Sequence, residues 1–107
     1  MTLSGLELRY AALLVLHQRY GLTRSIPEVL DDLGALGVWP VTDPPNKGLA
    51  DALRWEVRRG RVERVAHGRY RLAYLPDTTH RRARRVVRLA VRAGSPPALF
   101  AASERIR

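Results

Sequence analysis

Arg54 and Arg58 stand four residues apart in the segment Asn46-Lys47-Gly48-Leu49-Ala50-Asp51-Ala52-Leu53-Arg54-Trp55-Glu56-Val57-Arg58. On a helix, a rotation of about 100° per residue gathers Lys47, Asp51, Arg54, Trp55 and Arg58 on one side. A guanidinium is a planar fork of donors that matches two phosphate oxygens, or the O6 and N7 acceptors of guanine. Two forks one helical turn apart fit a single major groove. Asn46 and Lys47 open the same helix, where free N–H groups and the dipole favour an anion. Asp51 repels phosphate, yet it can accept from a cytosine amino group or hold Arg54 through an i,i+3 pair. Arg64, Arg69 and Arg71 follow in a segment suited to backbone or minor-groove contacts. Arg81, Arg84, Arg85, Arg88 and Arg92 form a further stripe. Any one of these arginines is most simply a solvated surface charge. Their shared faces are what point to a polyanion.

Catalytic chemistry is poorly represented. His17, His67 and His80 have no metal-ligand spacing, and there is no glycine-rich phosphate loop, nucleophile elbow or carboxylate cluster. The absence of cysteine excludes disulfides, thiolate metal sites and cysteine nucleophiles. The expectation is therefore no enzyme, no metal and no cofactor, and no signature of a small-molecule pocket is evident. His17 lies on an apolar helix face and is expected to be a partly buried core residue.

The elements that position these groups follow from caps and periodicity. Ser4-Gly5-Leu6-Glu7 has the pattern of a capping box and predicts a helix over about 4–20, stopped by Gly21. Its apolar residues cover much of the circumference. Such a helix is either central to the core or buries a face against a partner, and a homodimer is expected. Ser25-Ile26-Pro27-Glu28 predicts a second helix over 26–36, with Val29, Leu30 and Leu33 inward and Asp31 and Asp32 outward. Thr23 and Arg24 suit a short strand before it. In the long connection Gly37 to Asn46, Trp39 is expected to plug the core, with base stacking as the alternative.

The third helix, about 46–59, should bury Leu49, Ala50, Leu53 and Val57. Trp55 on its outer side either contacts nucleic acid or a partner, or packs under a neighbouring hairpin or C-terminal helix, and packing is the expectation. A hairpin over about 61–75 turns at His67-Gly68, with Tyr70, Leu72 and Tyr74 inward. Val62 and Val65 are three apart, which hints at a bulge. Asp77 caps a basic amphipathic helix over 77–94 whose apolar stripe is Thr79, Ala83, Val86, Val87 and Ala90. Its arginine face suits phosphate contacts, an anionic membrane surface, an acidic partner or solubility. The small apolar residues suit helix packing better than insertion. In the tail, 95–107, Leu99, Phe100 and Ile106 are candidates to dock.

Charge is distributed unevenly. Residues 1–50 carry four basic and five acidic side chains, and residues 51–107 carry fifteen basic and five acidic. Eighteen of the nineteen basic residues are arginine, which a GC-rich genome also favours, but composition does not explain the split. A near-neutral half joined to a cationic half resembles a scaffold with a polyanion-binding face. No apolar run approaches the ~20 residues of a membrane span, and Glu7 stands where a signal peptide would be basic. A cytoplasmic, nucleoid-associated protein without a membrane partner is expected.

The run Ala52-Leu53-Arg54-Trp55-Glu56-Val57-Arg58-Arg59-Gly60-Arg61-Val62-Glu63-Arg64-Val65-Ala66-His67-Gly68-Arg69-Tyr70-Arg71-Leu72 resembles the recognition helix and wing of winged helix-turn-helix DNA-binding domains, including small bacterial transcription regulators. That resemblance implies a mainly α fold with a small antiparallel β hairpin. It implies a winged-helix domain over 1–75 followed by a C-terminal helix, with DNA contacts from Asn46, Lys47, Asp51, Arg54, Trp55, Arg58, Arg64, Arg69 and Arg71. Arg81, Arg85 and Arg88 extend the candidate footprint. The same half is similar to the N-terminal domain of self-repressing bacterial antitoxins, but no counterpart of their large second domain follows, so that function is not carried over. The expected partner is double-stranded DNA, read by a dimeric regulator. The alternatives are a nucleoid-type coating protein and a winged-helix module that binds protein through Trp55. RNA comes third, for want of an aromatic stacking platform.

Overall fold

The computed structural model describes residues 2–94, and the expected tail over 95–107 lies outside the described residues. The elements in order are β1 (Thr2–Leu3), α1 (Gly5–Gln18), β2 (Arg24–Ser25), α2 (Ile26–Ala35), β3 (Trp39–Pro40), α3 (Pro45–Arg58), β4 (Val62–Ala66), β5 (Arg69–Leu72) and α4 (Asp77–Gly94). The fold is mostly helical with a small antiparallel sheet, in which β5 lies between β2 and β4. No helix among the described residues is long and apolar enough to cross a membrane.

α1 is the centre of the molecule. Leu8, Ala11, Ala12, Leu13, Val15 and Leu16 are all buried, and α2, α3 and α4 each pack against the helix. Most of its wide apolar circumference is thus used within the chain, while Leu6 stays exposed and Leu14 half-buried. Ala83, Val87 and Ala90 of α4 join the same core as Leu49 and Leu53 of α3.

The two serine caps behave differently. Ser25 accepts from the Glu28 N–H at 3.3 Å while the Ser25 N–H donates to Glu28 Oε1 at 2.8 Å, a complete capping box. At Ser4 no side-chain cap bond forms. Leu3 is held in a parallel pairing of β1 with β3, and the Val41 N–H donates to the Leu3 carbonyl at 3.0 Å. The chain then turns into α1 through Gly5 at φ +56°, a left-handed step that differs from an ordinary cap. α1 also ends at Gln18, two residues before the expected limit.

The connection from α2 to α3 is anchored rather than loose. Alternation places Val38 and Pro40 inside and Trp39 and Val41 outside. Val38 is therefore the core plug expected of Trp39, which is 48% exposed and lies over Gly34. Thr42 then ties the loop to α3. Its hydroxyl donates to the Pro44 carbonyl and accepts from the Gly48 N–H at 2.9 Å. A Cβ at Gly48 would collide with that hydroxyl, so glycine permits the close approach.

The hairpin has the expected His67-Gly68 turn and a bulge between Arg64 and Ala66. Tyr70 and Leu72 are buried, but Tyr74 is 65% exposed. β5 ends at Leu72, and the N–H groups of Ala73 and Tyr74 both turn to the Arg61 carbonyl, so strict alternation does not reach Tyr74.

Candidate nucleic-acid interface

α3 begins after Pro44, with Pro45 in its first turn and no side-chain cap. Gly48, Leu49, Ala52, Leu53 and Glu56 are buried, so the inward face is centred on Ala52 rather than Ala50. The opposite face carries Asn46, Lys47, Asp51, Arg54, Trp55 and Arg58, all exposed. Asp51 is its electrostatic hub. Arg54 donates to Asp51 Oδ1, and Lys47 Nζ lies 3.8 Å from Asp51 Oδ2. Two cations thus share one carboxylate, and the Arg54 guanidinium is held in place from its own helix.

Trp55 does not pack under the hairpin or α4. It stays 42% exposed, with the guanidinium carbons of Arg9 and Arg58 over its ring at 5.1 and 5.0 Å. Two cation–π contacts order the indole while leaving part of it at the surface. It also borders a shallow hollow of about 320 Å³ with Leu3, Leu8 and Val41.

Beneath this face lies a group that periodicity had not singled out. Glu56 is completely buried and accepts from Arg9 Nε at 3.0 Å and Arg61 Nε at 2.6 Å. The Arg61 N–H also bonds the Glu56 carbonyl at 3.1 Å, and the Arg61 carbonyl receives the Ala73 N–H at 2.9 Å. One carboxylate therefore joins α1, α3 and the root of the hairpin. A signal existed in the sequence: Glu56 falls seven residues after Leu49 and three after Leu53, on the inward stripe.

On the hairpin, Arg71 pairs with Glu63 at 2.7 Å, and Arg64 meets His67 Nδ1 at 2.9 Å. Arg69 is exposed and makes no ion pair among the described residues; its strand neighbours are Ala66 and Ser25. Arg24 just inside β2 is bound to Asp32 through contacts of 3.0 and 3.2 Å, and Arg19 reaches the same carboxylate at 3.5 Å. Asp32 is thus not an outward residue, its side chain being 10% exposed.

α4 differs. Arg81, Arg85 and Arg88 are exposed together with Arg82, Arg84 and Arg92, and none of the six has an ion pair among the described residues. Arg81, Arg84, Arg85 and Arg88 border one shallow cleft of about 290 Å³. At the N-terminal end of α4, His80 stacks on His17 with ring centroids 4.0 Å apart. His17 is consequently an exposed stacking partner and not a core residue. Loss of hydration, then the His17 ring and Arg84, hold the His80 pKa below its ordinary value, against a smaller opposing pull from Asp77. Among the described residues no cluster of three or more histidine or acidic side chains is arranged to hold a metal ion.

No protein-family model, curated protein or solved structure matches this chain.

Proposed function

We propose that the chain binds double-stranded DNA as a small transcriptional regulator of the winged helix-turn-helix type. The observation that carries this reading is the single exposed face of α3, on which Lys47, Arg54 and Arg58 are gathered and Arg54 is pre-set by Asp51. The succession helix, short strand, helix, helix, hairpin supports the winged-helix reading, with the short strand adding to the hairpin's edge. In this reading α3 enters the major groove and Arg54 and Arg58 meet base edges. Arg69 and the rest of the hairpin lie on the backbone or in the minor groove. The α4 arginines add phosphate contacts, and their lack of ion-pair partners among the described residues favours a second reading, a nucleoid-type protein that coats DNA with little base preference.

Fluorescence anisotropy on random-sequence duplex across a salt series separates the two. The affinity should fall linearly in log–log form, with a slope of about 0.9 per neutralised phosphate. Arg81→Gln/Arg85→Gln/Arg88→Gln should flatten that slope by roughly three such contacts. Arg54→Ala/Arg58→Ala should weaken binding to a selected site more than to random duplex. Equal loss on both substrates favours coating, and no binding at low salt overturns the DNA reading.

A further inference from the structure

Between the C-terminal half of α1 and one flank of α4 runs a groove of about 590 Å³. That lies within the roughly 300–1,000 Å³ typical of small-molecule sites. Leu14, Val87 and Val91 form its walls, while His80, Arg84 and Arg88 stand along its edge. Its origin is the composition of α4. Ala83, Val87 and Ala90 let the two helices approach closely, but such short side chains do not reach far enough to fill the flank. An aliphatic trough is left with a cationic border, and among the described residues no carboxylate borders it.

We infer that this groove binds a small amphiphilic carboxylate, its apolar body against Leu14, Val87 and Val91 and its carboxylate between Arg84 and Arg88. Charge complementarity selects the ligand. Arg84 and Arg88 are exposed one turn apart with no ion pair among the described residues, and a carboxylate meets a guanidinium through two parallel hydrogen bonds. The hydrocarbon wall demands several carbons behind that carboxylate, because a small hydrophilic anion would leave it wet. Loss of hydration is the main cause of the lowered His80 pKa, and the His17 ring and Arg84 add to it a repulsion that an anion would relieve.

Arg84 and Arg88 also belong to the four-arginine cleft on the outer side of α4. An anion that holds them withdraws two cations from a phosphate backbone. This coupling rests on the DNA-binding reading, whereas the groove itself does not.

The test is isothermal titration of the full chain with decanoate below its micellar concentration. Acetate serves as the charge without the chain, and decyl maltoside as the chain without the charge. Decanoate should bind saturably at one site, and acetate should give no comparable heat. Arg84→Gln/Arg88→Gln, both on the surface, should weaken decanoate by roughly tenfold or more, as loss of charge-assisted hydrogen bonds entails. Gln18→Trp should also weaken it by obstructing the mouth of the groove. Equal affinity for acetate or for decyl maltoside, or decanoate binding indifferent to both variants, would overturn the inference. So would co-sedimentation with phosphatidylglycerol vesicles in the absence of decanoate binding, which would make the groove a lipid-surface contact. Decanoate binding without any duplex binding keeps the site and removes the DNA reading. Duplex binding with no decanoate heat does the reverse.

Discussion

The α3 face and the α4 face are both rich in arginine, yet they are electrostatically opposite in design. On α3 and the hairpin, cations are already engaged: Arg54 and Lys47 with Asp51, Arg71 with Glu63, Arg58 with the Trp55 ring. On α4, six arginines stand without a carboxylate partner among the described residues. A phosphate backbone approaching α3 must compete with resident carboxylates, and one approaching α4 need not. Pre-engaged charge suits discrimination, because only an acceptor in the right place compensates the broken pair. Free charge suits affinity and long-range attraction.

The support beneath the two faces differs as well, and the largest predicted effect lies there. Glu56→Ala leaves the Arg9 and Arg61 guanidinium groups without their shared carboxylate and should destabilise the fold by about 3–5 kcal/mol in urea unfolding. Arg85→Ala on α4 has no such dependency and should stay within about 0.5 kcal/mol of the parent. Comparable losses in the two variants would erase the contrast. Arg54→Ala comes next: discrimination between a selected site and random duplex should fall by about 1–3 kcal/mol. Asp51→Asn should act in the opposite direction on random duplex, tightening it by up to about 1 kcal/mol while reducing discrimination, since the resident carboxylate is gone. If Asp51→Asn weakens random-duplex binding, the carboxylate is an organiser of Arg54 and not a competitor of phosphate.

The smallest effect is a pH dependence confined to the α1–α4 seam. His80 takes up a proton less readily in the folded chain than at its ordinary value of 6.5. Just below that value the unfolded chain therefore holds more protons, and stability should decline as pH falls through this range. Thermal unfolding midpoints should record that decline, and His17→Gln should reduce it by removing the neighbouring ring that disfavours the protonated form of His80.

What the sequence revealed depended on whether local chemistry or distant contacts decided the outcome. The second helix was legible because Ser25 and Glu28 satisfy each other's backbone within one turn. The hairpin was legible from His67-Gly68 and from the broken spacing of Val62 and Val65. The outer face of α3 followed from periodicity alone. The same cap pattern failed at Ser4, where pairing of Leu3 with a strand nearly forty residues away sets the entry angle. Trp39 and Val38 exchanged their expected roles for a similar reason, since the β1–β3 pairing chooses which residue points inward. Glu56, Arg9 and Arg61 are joined across three elements, and a carboxylate looks like surface until its partners are known. The α1–α4 groove left no trace in either helix separately, because it is the space that the short side chains of α4 fail to fill against α1.

The packing of α4 on α1 has a consequence for how the molecule is made. α1 spans residues 5–18 and α4 spans 77–94, so the earliest of the described helices acquires one of its covers from the last of them. At about 5–20 residues per second, translation separates the two by several seconds. During that time the side of α1 around Leu14 is open to solvent, although α2, α3 and the hairpin are already present. A nascent chain halted before Asp77 would expose the aliphatic seam that α4 normally covers, and with it a surface prone to self-association. The arginine-rich helix, whatever it binds in the finished protein, is therefore also the element whose arrival ends the vulnerable phase of folding.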